Sequence, residues 1–228
     1  MVRSVDDDVT RRAAVHAALG EPVRLAIVDE LALSDRAPSD LAALFGLAGN
    51  LVAHHLAVLE RVGLIERLVS TGDRRRRYVR LRGGHPASLG AGVARRRRGR
   101  ALFVCTHNSA RSQLAAVLWR ARTGDPATSA GTQPAADVHP GAVAAASRAG
   151  LDLSRARPRA LDDGDLAADL VVTVCDVAHE ALDHHAAWLH WSIPDPVAAA
   201  SPQAFDDALA LLDQRVAAIA AAGPHDTE

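Results

Sequence analysis

The stretch Val104-Cys105-Thr106-His107-Asn108-Ser109-Ala110-Arg111-Ser112-Gln113 constrains this chain more than any other. It sets a cysteine and an arginine with five residues between them, after a short apolar strand, Leu102–Val104, and before a helix-like run, Ser112–Arg122. Five residues suffice to wrap backbone N–H groups around a tetrahedral oxyanion, and a helix starting near Arg111 points the positive end of its dipole into the same cradle. Thr106, His107, Asn108, Ser109, Ala110 and Arg111 are therefore the expected oxyanion-binding loop, which the Arg111 guanidinium closes with bidentate hydrogen bonds. The same positive field favours thiolate over thiol and makes Cys105 the expected nucleophile. Asn108 suits a left-handed turn, and the Ser112 hydroxyl suits a hydrogen bond to the thiolate. On spacing alone, a buried structural cysteine beside a helix that begins with arginine fits as well.

Charge is divided unevenly along the 228 residues. Residues 1–100 hold 18 Arg against 11 acids, a net of +7, and residues 101–228 hold 8 Arg against 16 acids, a net of −8. The division points to two domains, each of about 100 residues, and the basic half suits a polyanion such as nucleic acid or simply a solvated face. Only two cysteines, Cys105 and Cys175, are present. Two are too few for a disulfide scaffold in a chain this long, so reactive thiols in a reducing cytosol fit better. No apolar run reaches the roughly 18 residues of a membrane span, and Met1 to Thr10 is acidic and lacks the pattern of a signal peptide. The expectation is a cytoplasmic protein without membrane contact.

Along the chain, residues 9–69 begin as helices. Leu25, Val28 and Leu31 recur at helical spacing, and Ser39 with Asp40 reads as a helix start before Leu41–Leu47. A further helix is predicted from Asn50 to Val62 with Gly63 ending it, followed by a two-stranded ribbon, Leu64–Ser70 and Arg76–Leu81, around the turn Thr71-Gly72-Asp73. Helix, turn, helix and hairpin is a winged-helix order, an α+β domain over residues 1–82. Residues 83–99 read as a linker, with Gly, Pro, Ala and the block Arg95–Arg98. Residues 100–228 alternate strand and helix candidates. The strands are Leu102–Val104, Thr128–Gly131, Leu170–Val174 and Leu189–Trp191, and the helices include Val138–Ala149 and Pro202–Ala222. That alternation predicts an α/β domain with a parallel sheet.

Residues 100–222 resemble the low-molecular-weight tyrosine phosphatase superfamily. The Cys105 loop carries the resemblance, together with Cys175 after the strand Val171–Val174 and Asp195-Pro196 after Leu189-His190-Trp191-Ser192-Ile193-Pro194. It implies a four-stranded parallel sheet with the site at the strand C-termini, Cys105 as nucleophile, Arg111 as oxyanion clamp and Asp195 as general acid. Gln113 after Arg111-Ser112, Val138-His139-Pro140, Trp191 before Asp195, and the absence of tyrosines after Asp195-Pro196 resemble the arsenate reductase branch. Arsenate or phosphate is then the expected oxyanion, with no bound cofactor and an external thiol as reductant, either thioredoxin or a low-molecular-weight thiol such as mycothiol. The expected resolving thiol is either Cys175, through a Cys105–Cys175 disulfide, or a small external thiol. Two departures bear on recycling, because Leu182 stands where thioredoxin-coupled relatives carry a third cysteine, and Ala110 where many loops carry a second. His139, and the group His179, His184, His185 and His190, read as surface or loop histidines, with no metal assigned.

Residues 10–82 resemble ArsR-type winged-helix repressors through Ala18–Ile27 and through His55-Leu56, Leu59 and Gly63-Leu64. The resemblance implies a homodimer on palindromic operator DNA. On the recognition helix Val52, Leu56 and Leu59 are expected in the core, with Asn50, His54 and Ala57 toward the major groove. Arg74, Arg75, Arg76 and Arg77 lie on the wing, within reach of phosphates. Residues 83–94 are too rich in glycine for a good dimer helix, which assigns more of the interface to Asp6–Leu19. The stretch Glu30-Leu31-Ala32-Leu33-Ser34-Asp35 lacks the cysteines of the family's arsenic sensors. The expected function is a bifunctional arsenic-resistance protein, a DNA-binding regulator with a thiol-dependent arsenate reductase domain. Alternatives are a regulator whose second domain only senses oxyanion or thiol redox state, or a protein tyrosine phosphatase.

Overall fold

A computed structural model describes residues 6–82, 99–182 and 187–221, and the linker expected over 83–99 lies, but for its last residue, outside them. The chain forms two compact units, Met1–Val69 with Arg76–Val93, and Ser70–Arg75 with Ala94–Glu228.

The first unit contains helices α1 (Asp7–Leu19), α2 (Pro22–Leu33), α3 (Pro38–Phe45) and α4 (Gly49–Arg61), followed by strands β1 (Ile65–Val69) and β2 (Arg77–Leu81). The strands pair antiparallel from Ile65↔Leu81 to Val69↔Arg77, which is the winged-helix order. Helix α2 starts where the Glu21 carboxylate accepts from the backbone N–H of Val23 and Arg24, with Pro22 in the first turn. The start of α3 differs from the expected one. Pro38 opens the helix, so Ser39 and Asp40 lie inside its first turn, and the Asp40 carboxylate accepts from Ala37 N at 3.1 Å. Gly46 (φ 63°) ends α3 and Gly63 (φ 76°) follows the end of α4, each in the left-handed region that glycine enters without strain. Val52, Leu56 and Leu59 fall on one stripe of α4 and join Ile27, Val28, Leu31, Leu41, Leu64, Ile65 and Val79 in the core. Leu25 stays partly exposed on the outer side of α2.

The second unit is built on a four-stranded parallel sheet, order β4-β3-β5-β6, of β3 (Ala101–Cys105), β4 (Ala127–Gly131), β5 (Leu170–Thr173) and β6 (Leu189–His190). Helices α5 (Arg111–Thr123), α6 (Pro140–Arg148), α7 (Asp176–Ala181), α8 (Pro196–Ala199) and α9 (Pro202–Ala221) alternate with the strands or follow them. Every residue of β3 and β5 is buried, as expected of strands covered on both faces. Helix α5 packs on α9, and Phe103, Trp119 and Trp191 form a buried aromatic cluster with ring centroids 6.0 and 5.9 Å apart. From β3 the chain moves to one side, to β4, and then returns to the other, to β5. The switch point of the sheet therefore lies between the C-terminal ends of β3 and β5, where open parallel sheets bind ligands. Among the described residues no single helix is long and apolar enough to cross a membrane.

The core of the first unit yields a direct test. Leu56 is fully buried on the inner stripe of α4, so Leu56→Ala should cost about 2–5 kcal/mol. We expect a lowered denaturant midpoint for the N-terminal unit, measured by urea unfolding followed by circular dichroism.

Candidate active site

Cys105 is the last residue of β3, and after five intervening residues Arg111 opens α5. The turn between them is tight because Asn108 takes a left-handed conformation (φ 49°), which asparagine tolerates better than other residues with a β-carbon. Neighbouring backbone braces the loop from outside. Thr132 N donates to Cys105 O, Gln133 N to Thr106 O, Ala135 N to His107 O and His139 N to Ser109 O, at 2.8–3.2 Å. Gly131 makes this approach possible, since a β-carbon there would lie 2.8 Å from Thr106 O and 3.0 Å from Asn108 Cβ.

The loop gathers donors on the Cys105 sulfur, which is buried. Asn108 N donates to Sγ at 3.2 Å, and Ser112 Oγ lies 3.0 Å from it. Asn108 Nδ2 donates to Ser112 Oγ at 2.8 Å, so the serine hydroxyl keeps its proton for the sulfur. The Arg111 guanidinium is buried and spans to the segment after β6, where it donates to Ile193 O at 3.1 Å and pairs with Asp195 Oδ2 at 3.1 Å. Asp195 also accepts from Val197 N at 3.1 Å as the N-cap of α8, so both carboxylate oxygens are engaged. Thr106, Asn108 and Ala110 are buried, Ser109 is half-buried and His107 is exposed.

Cys175 follows β5 and caps α7, accepting from Ala178 N at 3.4 Å and lying 3.4 Å from Thr106 Oγ1. Burial pushes its thiol up, the Arg111 charge opposes that, and the charge of Cys105 adds to it. Cys175 and Asp195, distant in sequence from Cys105, Arg111 and Ser112, thus join them at the switch point of one sheet.

A second buried cluster adjoins Cys175, and two of the five histidines expected at the surface or in loops belong to it. His179 and His190 are 2% and 0% exposed, with rings stacked 4.1 Å apart, whereas His184 and His185 lie outside the described residues. Burial is possible because partners are supplied. Thr173 Oγ1 lies 3.0 Å from Nδ1 of each ring, and His190 Nε2 lies 3.1 Å from Asp176 Oδ1. The signal available in the sequence was Thr173, Asp176, His179 and His190 close together around β5 and β6, and hydropathy alone placed the histidines outside. His139 is the N-cap of α6, accepts from Gly141 N at 3.0 Å and stacks on Phe205 with ring centroids 4.9 Å apart.

In the first unit Asn50, His54 and Ala57 are exposed on α4, while His55 is buried with Nδ1 3.4 Å from Glu21 Oε2. Asn50 Oδ1 accepts from Leu51 N at 2.9 Å. Arg74 and Arg75 stand exposed in the turn between β1 and β2, Arg75 paired with Asp73 at 3.1 Å. Arg76 donates to Tyr78 Oη at 3.4 Å, and Arg77 starts β2.

Burial pushes the Asp176 carboxyl up, but the hydrogen bonds from His190, Thr71 N and Ser192 outweigh it and hold the group at about 2. A carboxyl depressed in the folded state stabilises the fold above its unfolded value near 3.9, and the contribution disappears as pH falls through about 2. At neutral pH this amounts to about 2 kcal/mol. We expect Asp176→Asn to lower thermal stability at pH 7 and to lose its difference from the unaltered protein as pH approaches 2, measured by calorimetry across that range.

Comparison with known proteins agrees with this geometry. Residues 19–67 match the helix-turn-helix domain family. The chain is similar to an arsenate reductase of Brevibacillus brevis, 35% identical over 107 residues that make up 44% of this chain and 79% of that protein. It is also similar to an arsenate reductase of Halalkalibacterium halodurans, 38% identical over 103 residues, 42% of this chain and 73% of that protein. In fold it is similar to a tyrosine phosphatase of Erwinia amylovora, with TM-score 0.50 and 20% identity over 56% of this chain and 94% of that one. Residues 100–226, more than half of the chain, match the low molecular weight phosphotyrosine protein phosphatase family, and with its Cys105 loop, parallel sheet and Asp195 turn the chain belongs to that family.

Proposed function

We propose that the C-terminal domain is a thiol-dependent arsenate reductase and that the N-terminal domain is a DNA-binding transcriptional regulator, together a bifunctional arsenic-resistance protein of the cytoplasm. The observation that carries the enzymatic reading is the Cys105 sulfur held by Asn108 N and Ser112 Oγ at the start of α5, with the second buried thiol, Cys175, just beyond the adjacent strand at the start of α7. The arsenate reductases similar to this chain support it.

In this reading arsenate enters the loop 106–111 and Arg111 exchanges Asp195 for the oxyanion, which leaves Asp195 able to take and deliver a proton. The Cys105 thiolate attacks arsenic, an As–O bond breaks, and Asp195 protonates the departing oxygen as water. A second thiolate then attacks the Cys105 sulfur. An S–S bond forms, the S–As electron pair stays on arsenic, and As(V) leaves as As(III), so two thiols are oxidised while arsenic gains two electrons. Cys175 fits as the second thiol because it adjoins the same loop through Thr106. An external thiol, thioredoxin or a low-molecular-weight thiol such as mycothiol, then reduces the disulfide. Leu182, immediately after α7, offers no further sulfur to carry the disulfide onward.

For the N-terminal domain the exposed Asn50 and His54 of α4 would face base edges, and Arg74–Arg77 would contact phosphates, with a homodimer matching a palindromic operator.

Cys105→Ser should abolish arsenite formation from arsenate, followed by arsenic speciation with candidate thiols supplied, and leave DNA binding intact. Reduction at an unchanged rate in that variant would remove the enzymatic reading. DNA affinity should fall steeply with salt, and replacing Arg74 and Arg76 with Ala should flatten the slope of log affinity against log salt by about 0.9 for each phosphate that is no longer neutralised. Fluorescence anisotropy of the full chain on duplex DNA reads this, and an unchanged slope would exclude the wing arginines from the interface.

A further inference from the structure

Gln113 is the third residue of α5 and is buried, 6% exposed. Its Nε2 lies 3.1 Å from three oxygens at once, Asn108 O, Asn108 Oδ1 and Arg157 O. An amide NH2 carries two protons, so one serves Arg157 O and the other is shared between the two Asn108 oxygens. Arg159 N donates to the same Asn108 Oδ1 at 3.0 Å, and the Gln113 bond to Arg157 O holds in place the segment that brings it there.

These donors decide which way the Asn108 amide points. With Oδ1 turned to Gln113 and Arg159, Nδ2 must face Ser112, and it donates to Ser112 Oγ at 2.8 Å. A hydroxyl that accepts from Nδ2 directs its own proton to its remaining neighbour, the Cys105 sulfur at 3.0 Å. A flipped Asn108 would instead set its oxygen against Ser112 and draw that proton away from the sulfur.

We propose that Gln113 is a positioning residue for Cys105, orienting the Asn108 amide so that the Ser112 hydroxyl is aimed at the nucleophilic sulfur. The proposal rests on the reading of Cys105 as a nucleophile. The Gln113 side chain bonds to Asn108 and Arg157 and not to the sulfur, so its influence passes through two intervening side chains. It is a relay of hydrogen bonds from the first turn of α5 through the loop residue Asn108 and back to Ser112.

The experiment is alkylation of Cys105 by iodoacetamide across pH in the full chain, resolved by peptide mass mapping so that Cys175 does not contribute. The thiolate displaces iodide and forms a carbon–sulfur bond, so the rate reports the thiolate fraction. Gln113→Met keeps the volume and removes the donors, and Gln113→Glu sets an acceptor against both Asn108 oxygens. Thermal melts report whether each folds. We expect about tenfold slower Cys105 alkylation at neutral pH in Gln113→Met, a larger loss in Gln113→Glu, and the midpoint of the pH profile displaced upward in both. In a Ser112→Ala background the Gln113→Met effect should vanish, because the last link of the relay is gone. A folded Gln113→Met with an unchanged profile overturns the proposal, as does an undiminished effect in the Ser112→Ala background. If neither variant folds, Gln113 serves stability and the proposal is likewise overturned. An unaltered chain whose Cys105 reacts no faster than a free thiol at neutral pH would remove the nucleophile reading itself, an outcome distinct from these.

Discussion

Parallel pairing of β3 with β5 is the interaction on which the rest of the C-terminal unit depends. The register runs from Ala101↔Leu170 to Val104↔Thr173, so both strands present their C-terminal ends on the same side. Cys105 lies at one end and Cys175 just beyond the other, with Thr106 Oγ1 between the loop and the second sulfur. An antiparallel pair would have put the two C-termini at opposite ends of the strands. The same geometry points the N-terminus of α5 at the space above β3, where its partial positive charge acts on an anion or a thiolate.

The loop after β3 is held from several directions, and each restraint has a steric or electrostatic cause. Gly131 allows β4 to approach closely to Thr106 and Asn108. The backbone that follows β4 donates four hydrogen bonds into the loop, which leaves little freedom for the chain between Cys105 and Arg111. On the far side of Cys175, Asp176 and the stacked His179 and His190 form a buried polar cluster that is tolerated because Thr173 reaches both rings. Each of these groups, buried without a partner, would cost on the order of several kcal/mol.

In the N-terminal unit the division of α4 into two faces follows from helical geometry. Val52, Leu56 and Leu59 fill the core, so Asn50, His54 and Ala57 face solvent. His55 lies on the inner side, its Nδ1 3.4 Å from the carboxylate of Glu21, the residue that caps α2, so the start of α2 and the inner face of α4 meet there.

The sequence by itself determined the local structure and the chemistry available. Helical spacing, glycine at helix ends and strand–helix alternation marked most elements to within a few residues, because each is decided by contacts close along the chain. The Cys105 loop was legible for the same reason, since Cys105, Asn108, Arg111 and Ser112 all fall within one strand, one turn and one helix start. Only the tertiary structure decided which distant groups join them. Asp195 meets Arg111 through the order of the sheet, His179 and His190 turn inward because Thr173 and Asp176 lie where their ring nitrogens point, and Gln113 gains its part through Arg157 and Arg159, far along the chain. Hydropathy cannot foresee a buried histidine or glutamine, because whether burial is favourable depends on hydrogen-bond partners that only the folded chain brings within reach.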